Sequence, residues 1–303
     1  MPECAGLPIS IRALSKRYGK FTAVNGLDLE VNQGEILGFL GLNGAGKTTT
    51  IRVLLDLLRP TSGKVSIFGH DCQMDGLQAR AFTGYLPGEF GIYSDLTGRE
   101  ALDFLAALSG HKPDKQYRRR LQERLEFPDA DLRRKLREYS TGMKRKLGLL
   151  QALQADPPLL ILDEPTEGLD PLMQESFYEL LGELTRRGRT VFMSSHVLSE
   201  VARVCNRVAL LRKGELALLA SVEEARTLAA RRVRVFFTET VELDSALPKG
   251  VAVTDVKATE WTLKVDGDLG PLLFMLAKLP VKDLEVHEPR LEDVLIQYYK
   301  EDA

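Results

Sequence analysis

Eight residues, Gly41-Leu42-Asn43-Gly44-Ala45-Gly46-Lys47-Thr48, have the types and spacing that hold phosphate. Glycines at 41, 44 and 46 let the backbone curl until successive N–H groups point at one anion. A helix predicted to begin after Gly46 directs its positive end at the same place. Lys47 can reach β- and γ-phosphates, and the Thr48 hydroxyl can ligate Mg²⁺. Asn43, Ala45 and Thr49 belong to the same candidate cradle. The alternative is a glycine-rich turn with no ligand. The apolar strand before the loop and the helical pattern after it favour a bound nucleoside triphosphate.

Five further positions carry candidate chemistry. Asp163 ends the apolar run Leu159–Asp163, where open α/β sheets place ligands, and suits holding Mg²⁺. Glu164 is expected to point away from Asp163, placed to orient or deprotonate an attacking water. Read alone, two acids followed by Pro165 equally suit a strand-ending turn. His196 follows the run Thr190–Ser195, at a strand tip, as a partner for a γ-phosphate or as a structural histidine. Ser140 and Gly142 precede a helix with Leu147, Leu150 and Leu153 on its apolar side. A helix N-terminus of this kind can face an anion. Taken alone, Ser140 reads first as a helix cap.

The elements that must position these residues alternate apolar runs with helical patterns, which predicts an α/β fold with a parallel sheet. Glu35–Gly41 and Leu159–Asp163 have the continuous apolar character of strands buried on both faces, as do Thr190–Ser194 and Arg207–Leu211. Helical patterns start after Gly46, run across Arg99–Ser109, follow Gly142 and cover Leu172–Arg186. Ile9–Leu14 and Asn25–Val31 read as an antiparallel edge layer. Between Lys112 and Lys146 the chain is charged and helical, read as a solvated face or a surface for anionic lipid or an acidic partner loop. A helical linker near residues 222–230 leads to a different pattern. Arg232–Glu239, Val251–Val256 and Thr262–Val265 are strand candidates, and Gly270–Lys278 and Arg290–Lys300 are amphipathic helix candidates. The expected division is a first domain over 1–227, with a helical insertion over about 90–157, and a small α+β domain over 228–303.

Length and composition set the outer limits. At 303 residues, with 44% apolar and 28% charged residues, the chain can bury a sizeable core in about two domains. Forty-one basic and 43 acidic residues give a formal charge of −2, which argues against bulk-charge attraction to nucleic acid. Cys4, Cys72 and Cys205 are odd in number and widely spaced. A disulfide framework or zinc site is therefore not expected, and a reducing cytoplasm fits. No signal peptide and no run long enough to span a membrane are evident.

Taken in order, these motifs resemble the ATP-binding cassette family, the nucleotide-binding subunits of ABC transporters. Gly41–Thr48 is similar to the Walker A loop, Leu159–Asp163 with Glu164 to Walker B and the catalytic glutamate, Gly168-Leu169-Asp170 to the D-loop, and His196 to the switch histidine. Tyr139-Ser140-Thr141-Gly142-Met143 resembles the family signature, usually LSGGQ, with Ser140 and Gly142 matching. Tyr18 falls where the family places an aromatic that stacks on adenine. One departure is clear: in Gly84-Tyr85-Leu86-Pro87-Gly88-Glu89 the family's glutamine is replaced by Gly88. Either Glu89 substitutes or water completes the metal shell.

The resemblance implies a P-loop, RecA-like NTPase core with an antiparallel β edge layer, ATP and Mg²⁺ as ligands, and ATP hydrolysis. It implies two cassettes, identical or different, closing head to tail on a multi-spanning membrane permease encoded separately. The signature and the segment Glu288–Val294 look like the exporter branch, which would hold the chain at the inner face of the cell membrane, with the residues around Leu86–Leu96 against the permease. Two other readings stay open: a soluble cassette ATPase acting on ribosomes or DNA, and a non-catalytic ATP-gated subunit.

Overall fold

Short, continuously apolar runs, mostly leucine with isoleucine, valine and phenylalanine, make the central sheet. In the computed structural model, which describes residues 6–89, 91, 93–110, 114–227, 230–242 and 247–287, β1 is Ile9–Tyr18, β2 Phe21–Val31 and β3 Ile36–Leu40. Helix α1 (Lys47–Leu54) follows, then β4 (Ser62–Ile67), β5 (His70–Asp71), α2 (Gly76–Ala81) and β6 (Thr83–Leu86). Helices α3 (Gly98–Leu108), α4 (Lys115–Arg124), α5 (Asp129–Leu132) and α6 (Thr141–Leu153) form the helical insertion. The chain returns through β7 (Leu159–Asp163), α7 (Pro171–Arg186), β8 (Thr190–Ser195), α8 (Leu198–Val204), β9 (Arg207–Arg212) and β10 (Glu215–Ser221).

The main sheet has the order β10-β9-β3-β8-β7-β6, and β6, β7, β8, β3 and β9 pair in parallel. Every residue of β3, β7 and β8 is buried, as strands covered on both faces require. A second sheet, β2-β1-β4-β5, is antiparallel throughout. Leu14, Leu27, Val65 and Ile67 from this layer share one core with Phe39 and Phe192, whose rings lie 5.1 Å apart. Parallel register aligns the strand ends. Leu40 pairs with Ser195 and Asp163 with Ser194, so three catalytic candidates emerge along one edge.

The helical insertion carries its charge in ion pairs, all but one of those below internal and that one reaching Glu183 of α7. Arg118 meets Asp103, Arg119 meets Glu123, Arg124 meets Glu183, Arg134 meets Asp131 and Arg137 meets Asp95. Such exposed pairs contribute little stability, roughly 0–1 kcal/mol each. They do neutralise much of the arginine-rich face that the sequence presents.

Two compact units divide at Leu219, giving Met1–Leu219 and Ala220–Ala303. This break falls inside β10 rather than at 227, and assigns the linker helix α9 (Val222–Thr227) to the second unit. That unit continues with β11 (Arg231–Phe237), β12 (Val251–Lys257), β13 (Glu260–Val265), α10 (Gly270–Leu276) and β14 (Val281–His287). Its sheet, β12-β13-β11-β14, is antiparallel. Val233, Val235, Phe237, Trp261, Leu263 and Val265 pack with Leu272 and Leu276 of α10 in a core of their own. Strand β14 goes beyond the sequence expectation, because Val281–His287 lacks clean alternation. The helix expected over 290–300 and the motif over 288–294 lie outside the described residues. No helix among the described residues is long and apolar enough to cross a membrane.

Candidate functional site

The phosphate loop is held between the tip of β3 and the start of α1. Its turn closes through Ala45 N–H donating to the Leu42 carbonyl at 3.0 Å. Gly46 has φ +109°, and a Cβ there would meet the Ala23 carbonyl oxygen at 2.4 Å, so only glycine fits. No side chain caps α1 and no acid occupies its first turn. The first-turn N–H groups are therefore left for an external anion. Lys47, 6% exposed, donates to the Gly41 carbonyl at 2.6 Å and stands at the same end. Thr48 is exposed and Thr49 half-buried. This is a donor-rich cradle with no acid in the first turn of its helix, suited to a phosphate group.

Opposite Lys47 sits Glu164. Its Oε1 lies 3.6 Å from Lys47 Nζ, and its Oε2 lies 2.8 Å from His196 Nδ1. Glu164 adopts φ +51°, a left-handed conformation that costs a non-glycine residue on the order of 1 kcal/mol or more. That bend carries its carboxylate out of the strand and toward the loop, while Asp163 keeps its strand position. Asp163 Oδ1 accepts from Ser194 Oγ at 2.5 Å, and the same Ser194 oxygen accepts from the Glu164 N–H at 3.0 Å. Asp163 and Thr48 each offer an oxygen of the kind that a hard divalent cation takes.

Ser140 caps α6, its hydroxyl accepting from Met143 N–H at 3.2 Å. Gly142 packs so closely on the Gly168 carbonyl oxygen that a Cβ would lie 2.8 Å from it. Ser140 and Gly142 share a cavity of about 520 Å³ with Gly168 and Asp170, and neither Lys47, Glu164 nor His196 lines it. Within one chain, the signature residues thus line a cavity that the catalytic candidates do not share. Tyr18 ends β1 at a hairpin tip, 47% exposed, with Lys16 Nζ 5.2 Å from its ring centroid. An adenine there would stack on the other face or displace that cation.

Four supporting residues were not singled out from sequence. Ser194 is one. Glu200 of α8, buried, accepts from Thr166 Oγ1 at 2.7 Å and Ser195 Oγ at 3.0 Å, tying the segment after Glu164 to the one before His196. Thr166 is itself buried. Arg145, also buried, reaches the backbone below Asp163. Burial pulls the Arg145 guanidinium below its ordinary pKa, while Glu167, Asp163 and Glu164 oppose that shift. A signal existed for it: Arg145 occupies the apolar stripe of α6 with Leu149 and Ala152, where an unpaired cation is costly.

A parallel sheet with a strand–loop–helix phosphate cradle and acids at the neighbouring strand tips defines a P-loop nucleotide-binding fold. A family model described as ABC transporter matches residues 24–167. An ABC transporter ATP-binding protein of Nostoc sp. is 41% identical over 68% of this chain and 62% of its own length. The bacitracin transport ATP-binding protein BcrA of Bacillus licheniformis is 41% identical over 67% of this chain and 66% of its own. The chain therefore spans just under two thirds of these two relatives. The daunorubicin resistance ATP-binding protein DrrA3 of Streptomyces coeruleorubidus is 32% identical over 98% of both chains. Among solved structures, an ATP-binding subunit of an ABC transporter superposes with TM-score 0.68 at 29% identity, covering 74% of this chain and 93% of that one. A dimeric bacterial ABC transporter cassette gives 0.65 at 23%, covering 71% and 98%. The chain belongs to the ABC transporter family.

Proposed function

We propose that this chain is the ATP-binding and ATP-hydrolysing subunit of an ABC exporter, coupling closure of two cassettes to transport by a separate membrane permease. The observation that carries the reading is the Lys47–Glu164–His196 arrangement beside an acid-free helix N-terminus. Lys47 and the loop amides of Gly41–Thr49 hold the phosphates. Glu164 orients and deprotonates the attacking water, and His196 fixes that carboxylate and contacts the γ-phosphate. Asp163 and Thr48 would hold Mg²⁺, which supplies positive charge to the β- and γ-oxygens when bound. Phosphoryl transfer depends on positioning and charge stabilisation, so each of these groups acts by its placement.

Ser140 and Gly142 serve the ATP of a second cassette, a role supported by their separate cavity and by the dimeric relative. The second cassette is another copy or a related chain. Hydrolysis then depends on closure, because neither subunit alone completes a site. An apolar groove of about 520 Å³, lined by Leu77, Phe82, Leu105, Ala106 and Leu108 among others, supports docking of an amphipathic permease helix. Together with the segment 86–96 it would hold the chain at the inner face of the cell membrane. Relatives named for bacitracin transport, daunorubicin resistance and Nod factor export support the direction of transport in this reading. The unit from Ala220 onward is an accessory module with its own core.

The test is to tag the Glu164→Gln variant in its host, solubilise membranes gently and identify what co-purifies. A stoichiometric multi-spanning protein supports the reading. A purely soluble pool bound to ribosomes or nucleic acid overturns export and leaves the ATPase chemistry standing.

A further inference from the structure

Arg145 projects from α6, five positions beyond Ser140, and is 5% exposed. Its guanidinium donates to the Pro87 carbonyl at 3.0 Å, Gly88 at 2.8 Å, Glu167 at 3.2 Å and Asp163 at 3.4 Å. It also lies 3.4 Å from the Glu167 carboxylate. The four carbonyls come from three places: the exit of β6, the tip of β7, and the turn that enters Gly168–Asp170. Where parallel strands end, their last carbonyls lose the partners of the ladder and need another donor when buried. A guanidinium presents five N–H groups in a fixed plane, so a single side chain can meet several carbonyls together.

Resting on the site reading above, we propose that Arg145 is a positioning residue: it locks α6, with Ser140 and Gly142 at its start, to the backbone that carries Asp163 and Glu164. Displacement of α6 then pulls on the turn on which Glu164 is bent. Position 88 fits the same device. With no side chain there, the loop offers only backbone groups, and the fork takes the carbonyl. A Cβ at Gly88 would lie 3.4 Å from Asp163 Oδ2, so the clamped loop runs directly past the carboxylate assigned to Mg²⁺. Arg145 touches none of the reacting groups in this scheme; it acts through the backbone it holds.

The experiment compares Arg145→Gln and Arg145→Lys with the unchanged chain, measuring kcat and KM for ATP alongside the melting temperature. Both variants are expected to lose about tenfold to a hundredfold in kcat, because small misplacements of catalytic groups cost rates of that order. KM for ATP should stay within about threefold, since the phosphate loop is untouched. Lysine keeps the charge without the fork, so it should not rescue. A lowered melting temperature with wild-type kcat overturns the proposal, as does a raised KM with kcat unchanged. Should Arg145→Gln fail to fold, Arg145→Lys decides by the same criteria. Glu164→Gln in the same assay separates the two levels of inference. If that variant turns over normally, the site reading fails; if it is silent while the Arg145 variants are active, only this proposal fails.

Discussion

Nδ1 of His196 stands 2.8 Å from one oxygen of Glu164, while the other oxygen of that carboxylate lies 3.6 Å from Lys47 Nζ. One carboxylate therefore joins residues that follow three different strands, β3, β7 and β8, with Lys47 lying 117 positions before Glu164 and His196 32 positions after it. Its bent backbone and the Ser194 hydroxyl beneath it fix where the carboxylate can go.

Replacing Glu164 by Gln keeps shape and removes the base. Turnover should fall by about 10²–10⁴-fold, the range ascribed to a positioned acid or base. ATP affinity should be retained, and ATP should accumulate a dimer visible by size-exclusion chromatography. Wild-type turnover in this variant would remove Glu164 from the base role.

If His196 works by holding Glu164, the two losses should not add. His196→Ala should reduce kcat by roughly tenfold or more, and the double variant should be no slower than Glu164→Gln alone. Additive losses in steady-state kinetics would show that the two side chains act independently.

The start of α3 makes a pH-dependent prediction. Thr97 N–H and Oγ1 lie 2.7 and 2.8 Å from Glu100 Oε2, and Glu100 N–H donates to Thr97 Oγ1 at 3.2 Å, a capping box. The Thr97 backbone bond, then its side chain, holds the Glu100 carboxyl below its ordinary pKa. A depressed folded-state pKa stabilises above the unfolded value and is lost as pH falls through the folded one. Glu100→Gln should therefore melt below wild type at neutral pH, with the gap closing in acid. A gap that stays constant down to about pH 3 would contradict the linkage.

The second unit can be tested through Trp261, the single tryptophan of the chain. Its ring is buried and meets Phe237 edge-on with centroids 4.7 Å apart. Trp261→Ala should cost about 3–5 kcal/mol. Trp261→Phe should cost less, because it keeps the aromatic contact and removes an indole N–H that has no hydrogen-bond partner among the described residues. Denaturant titration with nucleotide binding followed in parallel checks both. Equal midpoints for the two variants would count against this packing.

The amino-acid sequence alone determined the features that rest on local chemistry. Glycine spacing lets the Gly41–Thr48 backbone curl, and short apolar runs such as Leu159–Leu162, too short for a helix of ordinary length, suit buried strands, so cradle, acids and parallel sheet were legible. The tertiary structure decided what depends on register between distant strands. The left-handed bend at Glu164 turns its carboxylate toward Lys47, a direction strand alternation could not supply. Ser194 reaches Asp163 because β8 pairs with β7 at that register. Arg145 meets Gly88 and Asp163 because α6 packs across the ends of β6 and β7. Strand β14, without clean alternation, exists because β11 offers it an edge. Local propensity acts over a few residues, whereas hydrogen bonds between strand tips exist only after the chain has closed around its core.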